Sequence, residues 1–150
     1  MRERQVARIR RRAREFDAFV AGAAGRLLHA ATLLTAEPID ANPRAQRLLV
    51  AALARTYAHW DRLRGEDPYD RTRQEIAARF AHDSWRYHRV RGGLLDRLTP
   101  QERLILVLRL YEGVAEEQTA ALIGLPVDRV RAICARSTAA MRSAPAPAGR

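Results

Sequence analysis

Arg129, Arg131 and Arg136 lie in the stretch EEQTAALIGLPVDRVRAICARSTAAM, spaced so that a helix would carry them among small alanines. Guanidinium groups in such a row can take phosphate oxygens, or pair bidentately with guanine in a major groove. A helix-turn-helix that presents such a row needs a small residue where its helices cross, a glycine in the turn and apolar anchors on the second helix. Ala120, Gly124, Val130 and Ile133 or Cys134 occupy those places. The second helix then begins near Val127 and presents Asp128, Arg129, Arg131, Ala132, Ala135 and Arg136. An ordinary helical hairpin with a solvated arginine face has the same pattern, and both readings stay open.

A second group, Trp85, Arg86, Tyr87, Arg89 and Arg91, combines flat aromatic faces with cations, a combination suited to single strands. Aromatics that cap a core at a helix end would read the same way. Catalytic chemistry finds less support. His29, His59, His82 and His88 have neither paired ligand spacing nor neighbouring cysteines, and no phosphate-binding glycine loop or nucleophile motif occurs, so an enzyme is the poorest fit and nothing calls for a cofactor or metal.

The chain around these residues has 150 positions and 47% apolar content, enough to bury a core. All 27 basic residues are arginines against 17 acids, a formal charge of +10. That excess favours a polyanion, nucleic acid first, with an acidic membrane or protein behind it. The absence of lysine and wealth of alanine look like the codon usage of a GC-rich genome, which explains arginine over lysine but not the surplus of positive charge. The single cysteine, Cys134, excludes an internal disulfide and is compatible with a reducing cytoplasm. No apolar run approaches the ~20 residues of a membrane span, and MRERQVARIRRRAREF is too basic and polar for a secretory signal. The expectation is a cytoplasmic protein with no membrane partner.

Three helix starts pair a capping residue with proline: Asn42-Pro43, Asp67-Pro68 and Thr99-Pro100. Thr99 to Glu102 is also a capping box. Upstream, Phe16, Phe19, Val20, Leu27, Leu28, Ala31 and Leu34 recur at helical spacing, with Gly22 and Gly25 weakening the middle. Leu104, Val107, Leu108 and Tyr111 repeat the pattern, and Gly113 sits where a C-terminal cap belongs. Nothing reads as a strand. The fold class is all-α: a basic N-terminal arm over 1–15, helical modules over 16–90 and 94–142, a very short linker at Arg89 to Gly93, and a disordered tail over 143–150.

Order and motif together resemble the extracytoplasmic-function (ECF) sigma factors of the sigma-70 family, especially the short actinobacterial type. EFDAFV…RLLHAATLLT, ALARTYAHW and DPYDRTRQEIAARFAHDSWRYH are similar to sigma region two, which binds polymerase and opens the proximal promoter element. LTPQERLILVLRLYEGVAEEQTAALIGLPVDRVRAICARSTAAMR is similar to region four, whose helix-turn-helix reads the distal element. The resemblance implies a sigma factor or sigma-like transcription regulator with DNA as partner, core RNA polymerase as a candidate partner, and an anti-sigma protein as another. On it, Arg129, Arg131, Arg136, Trp85, Arg86 and Arg89 are the DNA-contact candidates, and Arg47, Leu48, Val50 and Ala51 the polymerase- or partner-contact candidates.

This sequence also departs from the family pattern. The stretch QRLLVAALARTY holds Gln46, Arg47, Val50 and Ala51 where the family places acids and amides that touch the polymerase clamp. At about 100° per residue, Leu49, Leu53, Thr56, Tyr57 and Trp60 form a core side, while Arg47, Val50, Ala51, Ala54 and Ala58 form the other. That outer face fits a modified polymerase contact, another partner, a second copy of the chain, or simple packing against the arginine-rich N-terminal helix. The only asparagine, Asn42, lies far from the segment in which the family captures a flipped base, and Ala115 stands where a serine cap often begins the motif's first helix. Arg89 to Gly93 spans only ~17 Å fully extended, against over ~34 Å between elements more than one DNA turn apart. A sigma-derived regulator that has lost initiation activity and acts by protein contact or non-specific DNA binding is the alternative.

Overall fold

The computed structural model describes residues 1–89 and 91–143, and among these it is all-helical. The expected tail lies, apart from Ser143, outside the described residues. Six helices follow in order: α1 (Arg2–Thr35), α2 (Pro43–Ala58), α3 (Pro68–His82), α4 (Pro100–Leu106), α5 (Glu116–Ile123) and α6 (Val127–Arg142). Single 3-10 turns, Trp60–Arg62 and Ser84–Tyr87, follow α2 and α3, and α4 continues into a π turn over Val107–Tyr111.

Gly22 and Gly25 do not break α1. Both face solvent with open space around them, and Ala23, Leu27, Ala30, Ala31 and Leu34 are buried beside them. Core burial outweighs the roughly 1 kcal/mol that each glycine costs a helix. By length and composition alone α1 would suffice to cross a membrane, yet these apolar residues fill the core of the bundle. The basic arm is the first part of the same helix. Its residues 2–11 are exposed, and it is fastened where Arg12 donates to the Tyr57 carbonyl at 2.6 Å and meets Asp61 at 3.5 Å.

Caps begin the other helices much as the sequence implies, with one correction. Asp67 accepts the Tyr69 amide at 2.9 Å, and Thr99 and Glu102 form the reciprocal capping box. Asn42 precedes α2 but makes no side-chain cap. Its amide donates instead to the Thr32 hydroxyl and its oxygen accepts from Gln46, both at 2.9 Å. The capping is done by Glu37, a buried carboxylate that accepts the amides of Arg44 at 3.1 Å and Ala45 at 2.8 Å. A negative group here also opposes the positive end of the helix dipole.

The core runs across the linker. Leu27 and Leu34 of α1 and Ala77 and Phe80 of α3 pack in one cluster with Leu104 and Leu106 of α4 and with Val107 and Leu108. A smaller cluster of Ile105, Ala120, Val130 and Ile133 holds α5 and α6 onto α4. Buried Arg103 ties the segments together: Nε donates to the carbonyls of Leu95 (3.2 Å) and Leu98 (3.0 Å), and Nη1 to those of Leu34 (3.2 Å) and Tyr87 (2.8 Å). Desolvation lowers its affinity for its proton, but a guanidinium keeps that proton throughout the working range of pH. The linker is bound as tightly. The Gly93 amide donates to the Ala36 carbonyl at 2.9 Å, and a β-carbon at 93 would stand 2.3 Å from that carbonyl's carbon and oxygen.

Candidate nucleic-acid interface

α5 and α6 form the helix-turn-helix from the residues that the sequence singles out. Gly124 ends α5 in the left-handed conformation, φ 79°, a shape natural to glycine. Its amide and that of Leu125 both reach the Ala120 carbonyl, at 2.8 and 3.1 Å. Ala120 is buried, so the two helices approach closely, and α6 is pinned by Val130, Ile133 and Ser137. Its opposite side leaves Asp128, Arg129, Arg131, Ala132, Ala135 and Arg136 exposed. Arg129 and Arg136 lie two turns apart on one face, about 10 Å along the axis at 1.5 Å per residue, and make no ion pair among the described residues. Ala115 gives α5 no side-chain cap. Glu116 and Glu117 in the first turn meet the dipole instead.

Arg131 is differently placed. Its Nη2 donates to Oε2 of Glu116 at 2.9 Å and its Nε to the same oxygen at 3.2 Å. The hydrogen bond from Arg131 is the main reason the Glu116 carboxyl sits below its ordinary range.

The other group of candidates gathers after α3. Trp85 is 68% exposed, so it does not cap the core. That role falls to Tyr87, buried with its ring 4.8 Å from Phe80. Arg86 lies over the Trp85 ring at 4.9 Å. With His88, Arg89 and Arg91 these residues line an open concavity of about 480 Å³. Its sixth member, Arg44, escapes a reading of the sequence, because nothing local brings α2 to this place. Arg44 stacks on Tyr87 at 4.6 Å and donates to the Arg86 carbonyl at 2.8 Å, the latter across 42 residues. An electropositive hollow beside an exposed indole offers phosphate contacts and one stacking surface. Asn42, buried and bonded to Thr32 and Gln46, contributes nothing there.

The proposed partner face of α2 divides. Arg47 is exposed, Val50 is 65% exposed and Ala51 is half-buried. Leu48 is a correction: at 7% exposure it joins Leu49, Ala45 and Ala52 in the core, because α2 is sandwiched between α1 and α3 and buries a wider stripe than one helix face. Nor does the arginine-rich start of α1 cover Arg47 and Val50, which stay exposed; Arg12 and Arg8 instead reach Tyr57 at the end of α2 and Asp61 in the turn after it.

Residues 94–143 match the family model described as Sigma-70, region 4. The RNA polymerase sigma-E factors of Streptomyces avermitilis and Streptomyces antibioticus are each 32% identical to the chain, over 85% of it and 83% of their own length. That of Streptomyces coelicolor is 28% identical, over 85% of the chain and 84% of its own length. The alignment with the first runs over 153 residues yet takes in only 85% of a 150-residue chain, so it includes positions that this chain lacks. No solved structure matches. With a region 4 helix-turn-helix in place and likeness to sigma-E factors along most of its length, the chain belongs to the sigma-70 family, among the extracytoplasmic-function sigma factors.

Proposed function

We propose that this protein is a sigma-type transcription regulator that binds promoter DNA as one closed body, α6 lying on duplex and the Trp85 concavity taking single-stranded or backbone contacts. Family membership makes it a transcription protein and not an enzyme, and DNA and core RNA polymerase are the partners of the family at large. The single observation that carries the closed-body reading is Arg103, which reaches across the linker to the carbonyls of Leu34 in α1 and Tyr87 in the turn after α3, besides those of Leu95 and Leu98 in its own module. Spreading the modules to reach two promoter elements over ~34 Å apart would break the bonds to Leu34 and Tyr87 and open the shared core of Leu27, Leu34, Phe80, Leu104 and Val107. Each large apolar side chain so exposed costs about 1.5–3 kcal/mol. Such a protein does not initiate by straddling two elements. It acts in the cytoplasm through DNA and through the Arg47, Val50 and Ala51 face, which lacks the carboxylates expected of a polymerase-clamp contact and fits an altered polymerase surface, an anti-sigma protein or a second copy.

A working sigma factor is the second reading, favoured by the alignment with sigma-E factors over most of the chain. The two separate in a pull-down with bacterial core polymerase, comparing the native chain with Arg47→Asp/Val50→Gln/Ala51→Glu, followed by transcription from a sigma-dependent template. The closed regulator gives DNA binding without transcript; polymerase capture by the native chain assigns the α2 face to an altered polymerase contact, and capture by the triple variant alone assigns it to another partner. A promoter-specific transcript from the native chain with core enzyme would overturn it.

A further inference from the structure

The arginines of α6 are not equivalent in charge. Arg129 and Arg136 stand without an ion pair among the described residues, whereas Arg131 faces two carboxylates: Glu116 across the turn at 2.9 Å and Asp128 on its own helix at 3.5 Å. Glu116 also lies 3.8 Å from Arg109, whose Nη1 is held by the Val114 carbonyl. The carboxylate thus sits between a cation on each side, at the start of α5. Its contact with Arg131 uses Nε and Nη2, one edge of the guanidinium fork. That edge is one by which an arginine pairs bidentately with phosphate or guanine.

We propose that Glu116 is a built-in competitor of DNA for Arg131, and so sets how strongly the charge of α6 acts on non-specific sequence. The proposal rests on the reading that α6 lies against DNA. While Glu116 holds Arg131, the helix offers a phosphate backbone two free arginines instead of three. The pair is exposed, hence weak and screened by salt, so a well-placed bidentate acceptor displaces the carboxylate where a passing phosphate does not. Glu116 is a positioning residue in this scheme, since it acts through Arg131 and touches no base.

The test is the salt dependence of binding to a random-sequence duplex, followed by fluorescence anisotropy with the full chain between 50 and 200 mM NaCl. Each phosphate neutralised adds about 0.9 to the slope of log K against log salt. Glu116→Gln is expected to tighten binding and steepen the slope by about 0.9, so that its advantage shrinks about threefold across that range. Arg131→Gln changes little alone and abolishes the gain in the double variant. Glu117→Gln removes the same charge one residue away, where no ion pair is made among the described residues, and controls for the general field. Equal effects of Glu116→Gln and Glu117→Gln, or a gain that survives loss of Arg131, would overturn the competition. A slope that ignores Arg129→Gln and Arg136→Gln would overturn the reading of α6 itself, a result distinct from a slope that responds to those two and not to Glu116→Gln.

Discussion

The Nη1 of Arg103 donates to the carbonyl of Leu34 at 3.2 Å, across 69 residues of sequence. One side chain of the region 4 segment is thereby bonded to the C-terminal end of the long first helix, and through Tyr87 to the turn that carries the Trp85 concavity.

Replacing Arg103 by Met takes the side-chain donor from the buried carbonyls of Leu34, Tyr87 and Leu98, while that of Leu95 keeps the Leu98 amide. We expect a loss of about 3 kcal/mol or more, read as a lowered urea midpoint. Lysine should rescue little, since its ammonium cannot match a planar fork aimed at several acceptors. A native midpoint in either variant would contradict the role given to this residue.

Gly93→Ala should cost at least about 1–3 kcal/mol, the scale of overpacking, because the new methyl meets backbone of Ala36 that cannot swing aside. Gly25→Ala, where nothing lies within 4 Å, is the matched control and should stabilise slightly. Thermal unfolding of the pair decides the matter.

Tyr69 reports on the contact between α3 and the end of the π turn. Its hydroxyl donates to the buried carboxylate of Glu112 at 2.8 Å, and burial followed by that carboxylate pushes the phenol above its ordinary pKa of 10.0. The unfolded chain therefore ionises Tyr69 first. Stability from this source is whole below about pH 10 and declines as pH rises above that value toward the folded one. Tyr69→Phe should be less stable at neutral pH, by about 1–2 kcal/mol, and lose less between pH 10 and 12. Tyr87 and Tyr111, both raised chiefly by burial, keep some alkaline sensitivity in place. Denaturation midpoints against pH for the two proteins provide the check.

Trp85→Ala should weaken binding of a single-stranded oligonucleotide by about 1–3 kcal/mol and leave duplex binding nearly unchanged. Arg129→Gln and Arg136→Gln should do the reverse, each lessening the duplex salt slope by about 0.9. A filter-binding matrix of three variants on two probes reads both effects. Equal losses on both probes would mean that the two surfaces do not divide the work.

Much of the helix-turn-helix was legible because its determinants are local: a small residue, a glycine and anchors at fixed spacing on neighbouring helices. The caps at Asp67 and Thr99 were legible for the same reason. Asn42 failed because its side chain is claimed by Thr32 and Gln46 while Glu37, five residues upstream, takes the amides. Leu48 failed because the width of a buried stripe depends on how many neighbours a helix has. Arg103 and Arg44 were invisible, since an arginine on an amphipathic helix reads as solvated until tertiary carbonyls are placed around it. Arg131 was legible as an exposed cation, but its carboxylate partner lies 15 residues away in sequence.

The π turn after α4 widens the winding of the chain. There the Glu112 amide bonds back to Val107, five residues away, at 2.9 Å, so this stretch holds one residue more per turn than an α-helix would. Rewinding the same residues as a regular α-helix, with none removed, would rotate everything downstream by about 100°. Glu112 would leave Tyr69, and α6 would point its arginines along a different azimuth from the Trp85 hollow. The wide turn is a phase setting: it fixes the angle at which the α6 arginines stand to the Trp85 hollow.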